Sequence, residues 1–184
     1  MSVVVTGTAP AVDRKDPTQR LWSADEFSRM RELSLFAERD LLLDDGQLLE
    51  HFADGTSQAV VFTQAEFCQL WDANFFRDQR VQLIGGEIVQ ESFMNPQHAV
   101  CIRLATLVLE RVFGVGYDVR PQLPLDLTPT NRPHPDLAVV TGSPRDYAVK
   151  HPTTAVLAVE VSDSTLEEDT HTKMSLYAAA GIAE

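Results

Sequence analysis

With two cysteines in 184 residues, Cys68 and Cys101, the chain has no material for a disulfide framework. Both fall among apolar neighbours in stretches that read as helix, which predicts buried free thiols in a reducing cytoplasm. Long apolar runs are missing as well. The densest, Ala155 to Val159, is far too short to span a bilayer, so no membrane association is expected. The opening MSVVVTGTAPAVDRKDP has neither the basic start nor the sustained apolar stretch of a secretory signal. Basic residues are outnumbered, 15 Lys and Arg against 27 Asp and Glu, for a net charge of −12. The acidity is spread, with 15 acids and 8 bases in residues 1–90 and 12 and 7 in residues 91–184. No basic tract serves as a nucleic-acid arm, and the balance disfavours tight non-specific binding to phosphate backbones. It leaves room for a metal site, which needs carboxylates. There is no phosphate-cradling glycine loop, and His134, His151, His171 and the cysteines lack zinc spacing.

What is present is a globular composition, 44% hydrophobic and 23% charged, long enough for one ordinary domain with appendages. Residues 1–21, without periodicity, read as a flexible leader. An internal repeat follows at an offset of 40 residues, Trp22 to Glu50 and Phe62 to Gln90, in which Glu26, Phe27, Phe36, Leu43 and Gly46 match Glu66, Phe67, Phe76, Leu83 and Gly86. Each copy opens with a capping box, Ser23-x-x-Glu26 or Thr63-x-x-Glu66, behind an aromatic residue placed as a hydrophobic staple. A short amphipathic helix and a β-hairpin come next, with Asp45-Gly46 and Gly85-Gly86 supplying positive φ at the turns. This grammar predicts a duplicated helix–hairpin element, residues 22–61 forming one copy and the second opening a core at 62–184. Trp22, Trp71, Phe75 and Phe76 read as core on helix faces.

The remainder alternates. Gln97 to Phe113 has helical periodicity with Val100, Leu104, Leu107 and Val108 on one apolar face, stopped by Gly114 and Gly116. Tyr117 to Arg120 and Gln122 to Leu127 read as strands or an irregular hairpin broken by Pro121 and Pro124. Asp136 to Thr141 and Ala155 to Ser162 are compact β-branched runs, predicted to be buried neighbouring strands. Thr165-x-x-Glu168 caps a final helix to about Ala180, with Gly181 in the C′ position; the chain then ends at Glu184 as though cut short.

Two carboxylates stand out. Asp136 opens one apolar strand and Glu160 lies near the end of another. A charge there must find a partner or be neutralised. Neighbouring strands would bring both within reach of one hard cation, which is commonly held by one or two carboxylates with water and phosphate oxygens. Taken alone the pair leaves alternatives open: Asp136 after Pro135 as a turn residue, and Glu160 in a salt bridge with Arg132 or Lys173.

The surrounding text is more specific. Gly86-Glu-Ile-Val, Asn95-Pro-Gln-His98, Arg132-Pro-His-Pro-Asp136-Leu-Ala-Val-Val, Val159-Glu-Val-Ser-Asp-Ser-Thr165, Asp169-x-x-x-Lys173 and Tyr177-x-x-x-Gly181 occur in that order. The succession, from about Phe62 to Glu184, resembles the Uma-two family of restriction-endonuclease-like proteins within the PD-(D/E)XK nuclease superfamily. The resemblance implies an α/β fold, a restriction-endonuclease-like mixed sheet flanked by helices and here preceded by the helix–hairpin duplicate. It implies Asp136 and Glu160 as metal ligands and Glu87 as an acid completing the metal sphere. Ser162 occupies the lysine slot of the motif, and Lys173 on the following helix is the residue that takes its place in such family members. His98 matches a family histidine with a phosphate-contact or orienting role, while Tyr177 reads as packing. Two departures stand beside these matches: Asp163 replaces a proline usual in the family, and the aromatic-rich strand and hairpins that follow the glycine corresponding to Gly181 are missing.

The expected activity is hydrolysis of DNA phosphodiester bonds dependent on Mg²⁺ or Mn²⁺. DNA is the expected partner, a homodimer the expected assembly and the cytoplasm the expected location. The rivals are a catalytically inactive module that retains the fold for binding or regulation, and a purely structural or dimerisation domain with its acids salt-bridged. Ser162, the acidic charge and the short end favour the first of these.

Overall fold

The computed structural model describes residues 18–33, 36–91, 94–161 and 168–183. They fall into two compact units, one drawn from residues 17–91 with 129–131, the other from 92–128 with 132–184.

The first unit contains β1 (Thr18–Gln19), α1 (Ala24–Arg31), β2 (Leu41–Asp44), β3 (Gln47–His51), β4 (Ser57–Ala59), α2 (Gln64–Asp72), β5 (Val81–Ile84) and β6 (Glu87–Gln90). Both helices start at the expected boxes. Ser23 Oγ accepts the Glu26 N–H at 3.2 Å while the Glu26 carboxylate accepts the Ser23 N–H at 2.9 Å. Thr63 and Glu66 repeat the exchange at 3.3 and 2.7 Å. The hairpins β2–β3 and β5–β6 turn through Asp45 and Gly46 (φ 44° and 80°) and through Gly85 and Gly86 (58° and 82°). Glycine is required most strongly at Gly86, where a Cβ would come within 2.4 Å of Val61 Cγ1. The Trp22 N–H donates to the Gly46 carbonyl at 2.8 Å, and the Phe62 N–H donates to the Gly86 carbonyl at the same distance. Met30 and Leu70, Phe36 and Phe76, and Leu48 and Ile88 are buried in one hydrophobic core. Arg20 is buried too, its guanidinium 4.1 Å from the Trp22 ring and bonded to Gln79 and Glu26.

Two expectations change in this unit. Thr18–Gln19 pair with β6 and Arg20 is buried, so the leader reading fails at its last residues; residues 1–17 lie outside the described ones. Trp71 is 48% exposed rather than core, because α2 buries its Phe67 and Leu70 side and leaves Trp71 to cover only the edges of Phe67 and Phe76.

The second unit runs α3 (Pro96–Phe113), β7 (Tyr117–Pro121), β8 (Leu137–Thr141), β9 (Leu157–Val159) and α4 (Glu168–Ala179). Asn95 caps α3, its Oδ1 accepting the His98 N–H at 2.8 Å ahead of Pro96, and Gly114 (φ 66°) ends it. The sheet has the order β7-β8-β9 and is antiparallel; its parallel element is an isolated bridge between Leu157 and Ala183. Successive residues of a strand face opposite ways. Ala138, Val140 and Ala158 therefore share a face, where they meet Leu125, Tyr177 and Ile182 in a core, while the buried Leu137 and Val139 face the other side. The helix α3 packs on β7 and β8. The chain is thus a mixed α/β protein, with four helices and three small antiparallel sheets among the described residues.

Here too there are corrections. Residues 122–127 form no strand: Pro121 and Pro124 deny donors, and Gln122 turns the chain at φ 51°. Cys101 is exposed on α3 and Cys68 is half-buried, so neither is a core thiol. The apolar side of α3 is exposed, since the helix buries Ile102 and Thr106 instead. The Thr165 cap and Ser162 lie outside the described residues. No helix among the described residues is long and apolar enough to cross a membrane.

Candidate active site

Strand register builds the site. The ladder pairs Pro121 with Leu137 and Leu137 with Val159. One step further along all three strands stand Gln122, Asp136 and Glu160, at the same end of the sheet. Opposed residues on an antiparallel pair bring their Cβ atoms within about 4.5–5.5 Å, so the two acids that sequence places 24 residues apart become neighbours through β8–β9 pairing. The join is closed by the Val161 N–H, which donates to Asp136 Oδ2 at 2.8 Å.

Asp136 collects three donors. Besides Val161, His98 Nε2 approaches Oδ1 at 2.9 Å and Gln122 Nε2 donates to Oδ1 at 3.3 Å. An ionised carboxylate only accepts, so the His98 proton facing it sits on Nε2. His98 comes from the first turn of α3, held there by the Asn95 cap. The Gln122 backbone N–H also donates to the Asp136 carbonyl at 3.1 Å. Burial alone would raise the Asp136 carboxyl. The hydrogen bond and charge of His98, the Val161 N–H and the Lys173 charge outweigh it and hold the group below the usual carboxylate range.

Glu160 is held from α4. Tyr177 donates its hydroxyl to Oε1 at 2.7 Å, and Lys173 Nζ lies 3.4 Å from Oε2. Lys173 and Tyr177 are one helical turn apart on one face. Desolvation dominates at Glu160, and the nearby Asp136 charge adds to it; Lys173 and Tyr177 oppose both without cancelling them, so its carboxyl is raised. Two adjacent carboxyls are thus pushed in opposite directions, a pattern that clusters at functional sites.

The donor set fits a hard divalent cation. A carboxylate offers about four lone-pair positions. Asp136 has committed three and Glu160 two, which leaves oxygen lone pairs on both for a shared ion. A cation would also relieve the unfavourable ionisation of Glu160. Among the described residues no group of three or more His, Cys, Asp or Glu is placed to hold a metal ion.

The fold therefore brings together four sequence-derived candidates, Asp136, Glu160, Lys173 and His98. Glu87 opens β6 as an exposed residue of the first unit. Two partners escape sequence reasoning. Tyr177, read as packing, bonds Glu160, and the Lys173-x-x-x-Tyr177 spacing was the available signal. Gln122 carries no local signal, because only the β7–β8 register brings it to Asp136.

No curated protein matches the chain. Residues 64–184, about two thirds of it, match the Uma2 family, described as "Putative restriction endonuclease". The chain belongs to the Uma2 family, whose assigned character is that of a restriction-endonuclease-like nuclease.

Proposed function

We propose that this protein is a divalent-metal-dependent endonuclease of PD-(D/E)XK type that hydrolyses DNA phosphodiester bonds, with Asp136 and Glu160 as the ion-holding carboxylates. The observation that carries the reading is the placement of these two acids at adjacent strand ends with Lys173 on Glu160. Mg²⁺ or Mn²⁺, when bound, supplies an activated water and stabilises charge on the phosphate and the leaving oxygen. The chain's own residues orient that chemistry. His98 and Gln122 fix the Asp136 carboxylate, and Tyr177 fixes that of Glu160. The Lys173 ammonium offsets negative charge on the scissile phosphate. His98 Nδ1 is buried and has no hydrogen-bond partner among the described residues. The helix–hairpin that precedes the core is one element used twice, a reading supported by the matching Trp22–Gly46 and Phe62–Gly86 hydrogen bonds.

A second reading, a nuclease fold that binds without cutting, is favoured by the net charge of −12 and by Ser162 in the motif's lysine slot. Incubation with supercoiled plasmid and single- and double-stranded oligonucleotides, in Mg²⁺ or Mn²⁺ and with chelator controls, decides between them. The nuclease reading expects metal-dependent cleavage that falls to background in Asp136→Ala and Glu160→Ala, and by about 10²-fold in Lys173→Met. Metal uptake with no cleavage of any substrate would favour the binding module.

A further inference from the structure

Gln122 holds a left-handed backbone, φ 51°, just past the end of β7. The other non-glycine residues with positive φ among the described ones are Asp45, Asn74 and Asp78. Their short polar side chains tolerate that region, whereas a glutamine gains nothing from it. A turn that needed only this backbone shape would be better served by Gly or Asn. A long amide held there implies a use for the amide, since strain of this kind clusters at functional sites. The amide has two ends. An ionised carboxylate only accepts, so the end 3.3 Å from Asp136 Oδ1 is Nε2. The other end, Oε1, accepts no hydrogen bond among the described residues.

Sheet order puts Gln122 and Glu160 on opposite sides of Asp136, each about one strand spacing of 4.8 Å away. Both side chains are longer than that of Asp136 and reach past it, from either side, toward the space in front of its carboxylate. An amide oxygen beside two carboxylates is repelled by both unless a cation lies among them. Among the described residues no third His, Cys, Asp or Glu joins the pair. Amide carbonyls are hard neutral oxygens that hold divalent cations as carboxylates do, without adding charge. We propose that Gln122 Oε1 is the third protein oxygen of the ion that Asp136 and Glu160 hold. This rests on the divalent-metal reading of the site. One side chain then serves twice, Nε2 steadying Asp136 and Oε1 taking the ion. A neutral ligand also spares the two acids a third negative charge in the metal-free protein.

Mn²⁺ is the probe, added to the metal-free whole chain and followed by calorimetry and by water-proton relaxation, which counts the waters on the bound ion. Gln122→Gly keeps the backbone N–H and accepts the positive φ without strain. It should weaken Mn²⁺ uptake about tenfold and add a water to the ion. Gln122→Asn, at ease at the same φ but one methylene shorter, should do likewise, and guards against a folding defect in the glycine variant. Gln122→Glu puts a charged oxygen where Oε1 stands and gives up the donor to Asp136. It should bind Mn²⁺ about tenfold more tightly than the wild type, with the same number of waters. A water count unchanged in Gln122→Gly and Gln122→Asn, or weaker uptake by Gln122→Glu, overturns the assignment and leaves Gln122 a donor to Asp136 alone. No uptake by the wild type overturns the metal site itself, and the Gln122 role with it.

Discussion

Replacing Tyr177 by Phe removes the hydroxyl that donates to Glu160 at the candidate site. The ring is 1% exposed inside the core with Ala138, Val140 and Ala158, so Phe fills the same space and opens no cavity. Only the hydroxyl that donates to Glu160 Oε1 at 2.7 Å is lost. A hydrogen bond to a charged group contributes about 1.5–3 kcal/mol. Lys173, at 3.4 Å, remains as the Glu160 partner but on the other oxygen, and so does not substitute for it. With about 2–4 °C per kcal/mol for a chain of this size, Tyr177→Phe should lower the metal-free melting temperature by about 3–12 °C where Glu160 is ionised. The pH dependence has a definite sign. Glu160 titrates above the usual range in the folded state, so its ionisation costs stability as pH rises from the unfolded value through the folded one. Removing a donor to the ionised form enlarges that cost. The Tyr177→Phe deficit should therefore be largest where Glu160 is ionised and shrink at lower pH, where it is protonated and the lost bond is a neutral one of about 1 kcal/mol. Thermal unfolding followed by circular dichroism between pH 4 and 8 measures this, with Glu160→Gln as background for a double-mutant cycle. A deficit that stays below about 0.5 kcal/mol across this range, or one of equal size in the Glu160→Gln background, would refute the hydrogen bond to Glu160.

Other perturbations act elsewhere. Ser23→Ala should cost about 1 kcal/mol in thermal unfolding through loss of the α1 cap, and no loss would mean that α1 does not need it. Burial would raise the Glu26 carboxyl, but the Ser23 N–H and Arg20 hold it low on balance, so its contribution is present at neutral pH and lost as pH falls through the folded value. The melting-temperature difference between wild type and Glu26→Ala should narrow in acid, and a constant gap would contradict it. Gly85→Ala should cost about 1–2 kcal/mol from positive φ alone. Gly86→Ala should cost more, since its Cβ also meets Val61 Cγ1 at 2.4 Å and the Phe62 carbonyl at 3.3 Å; equal denaturation midpoints would show that Val61 yields freely.

What could be read from the sequence divides by range. The caps at Ser23 and Thr63 and the turns at Gly46 and Gly86 involve residues no more than three apart, so residue type nearly dictates them. Asp136 and Glu160 were legible because a carboxylate at the end of an apolar strand is unusual, whatever the pairing. Gln122 was not, because Pro121 and Pro124 hide the end of β7 and a non-glycine positive φ has no local signature. The periodicity of α3 announces two faces without saying which one is covered. The protein buries Thr106, whose hydroxyl returns to the Ile102 carbonyl at 2.8 Å, and exposes Val100 and Leu104. Trp71 and Cys101 were misplaced for the same reason, since burial depends on what packs against a helix.

Calorimetric titration of the metal-free protein with Mn²⁺ tests the central claim, a shared ion between Asp136 and Glu160, most directly. The account predicts one saturable site per chain in the wild type and no measurable site in Asp136→Ala or Glu160→Ala. Equal uptake by wild type and both variants would contradict it.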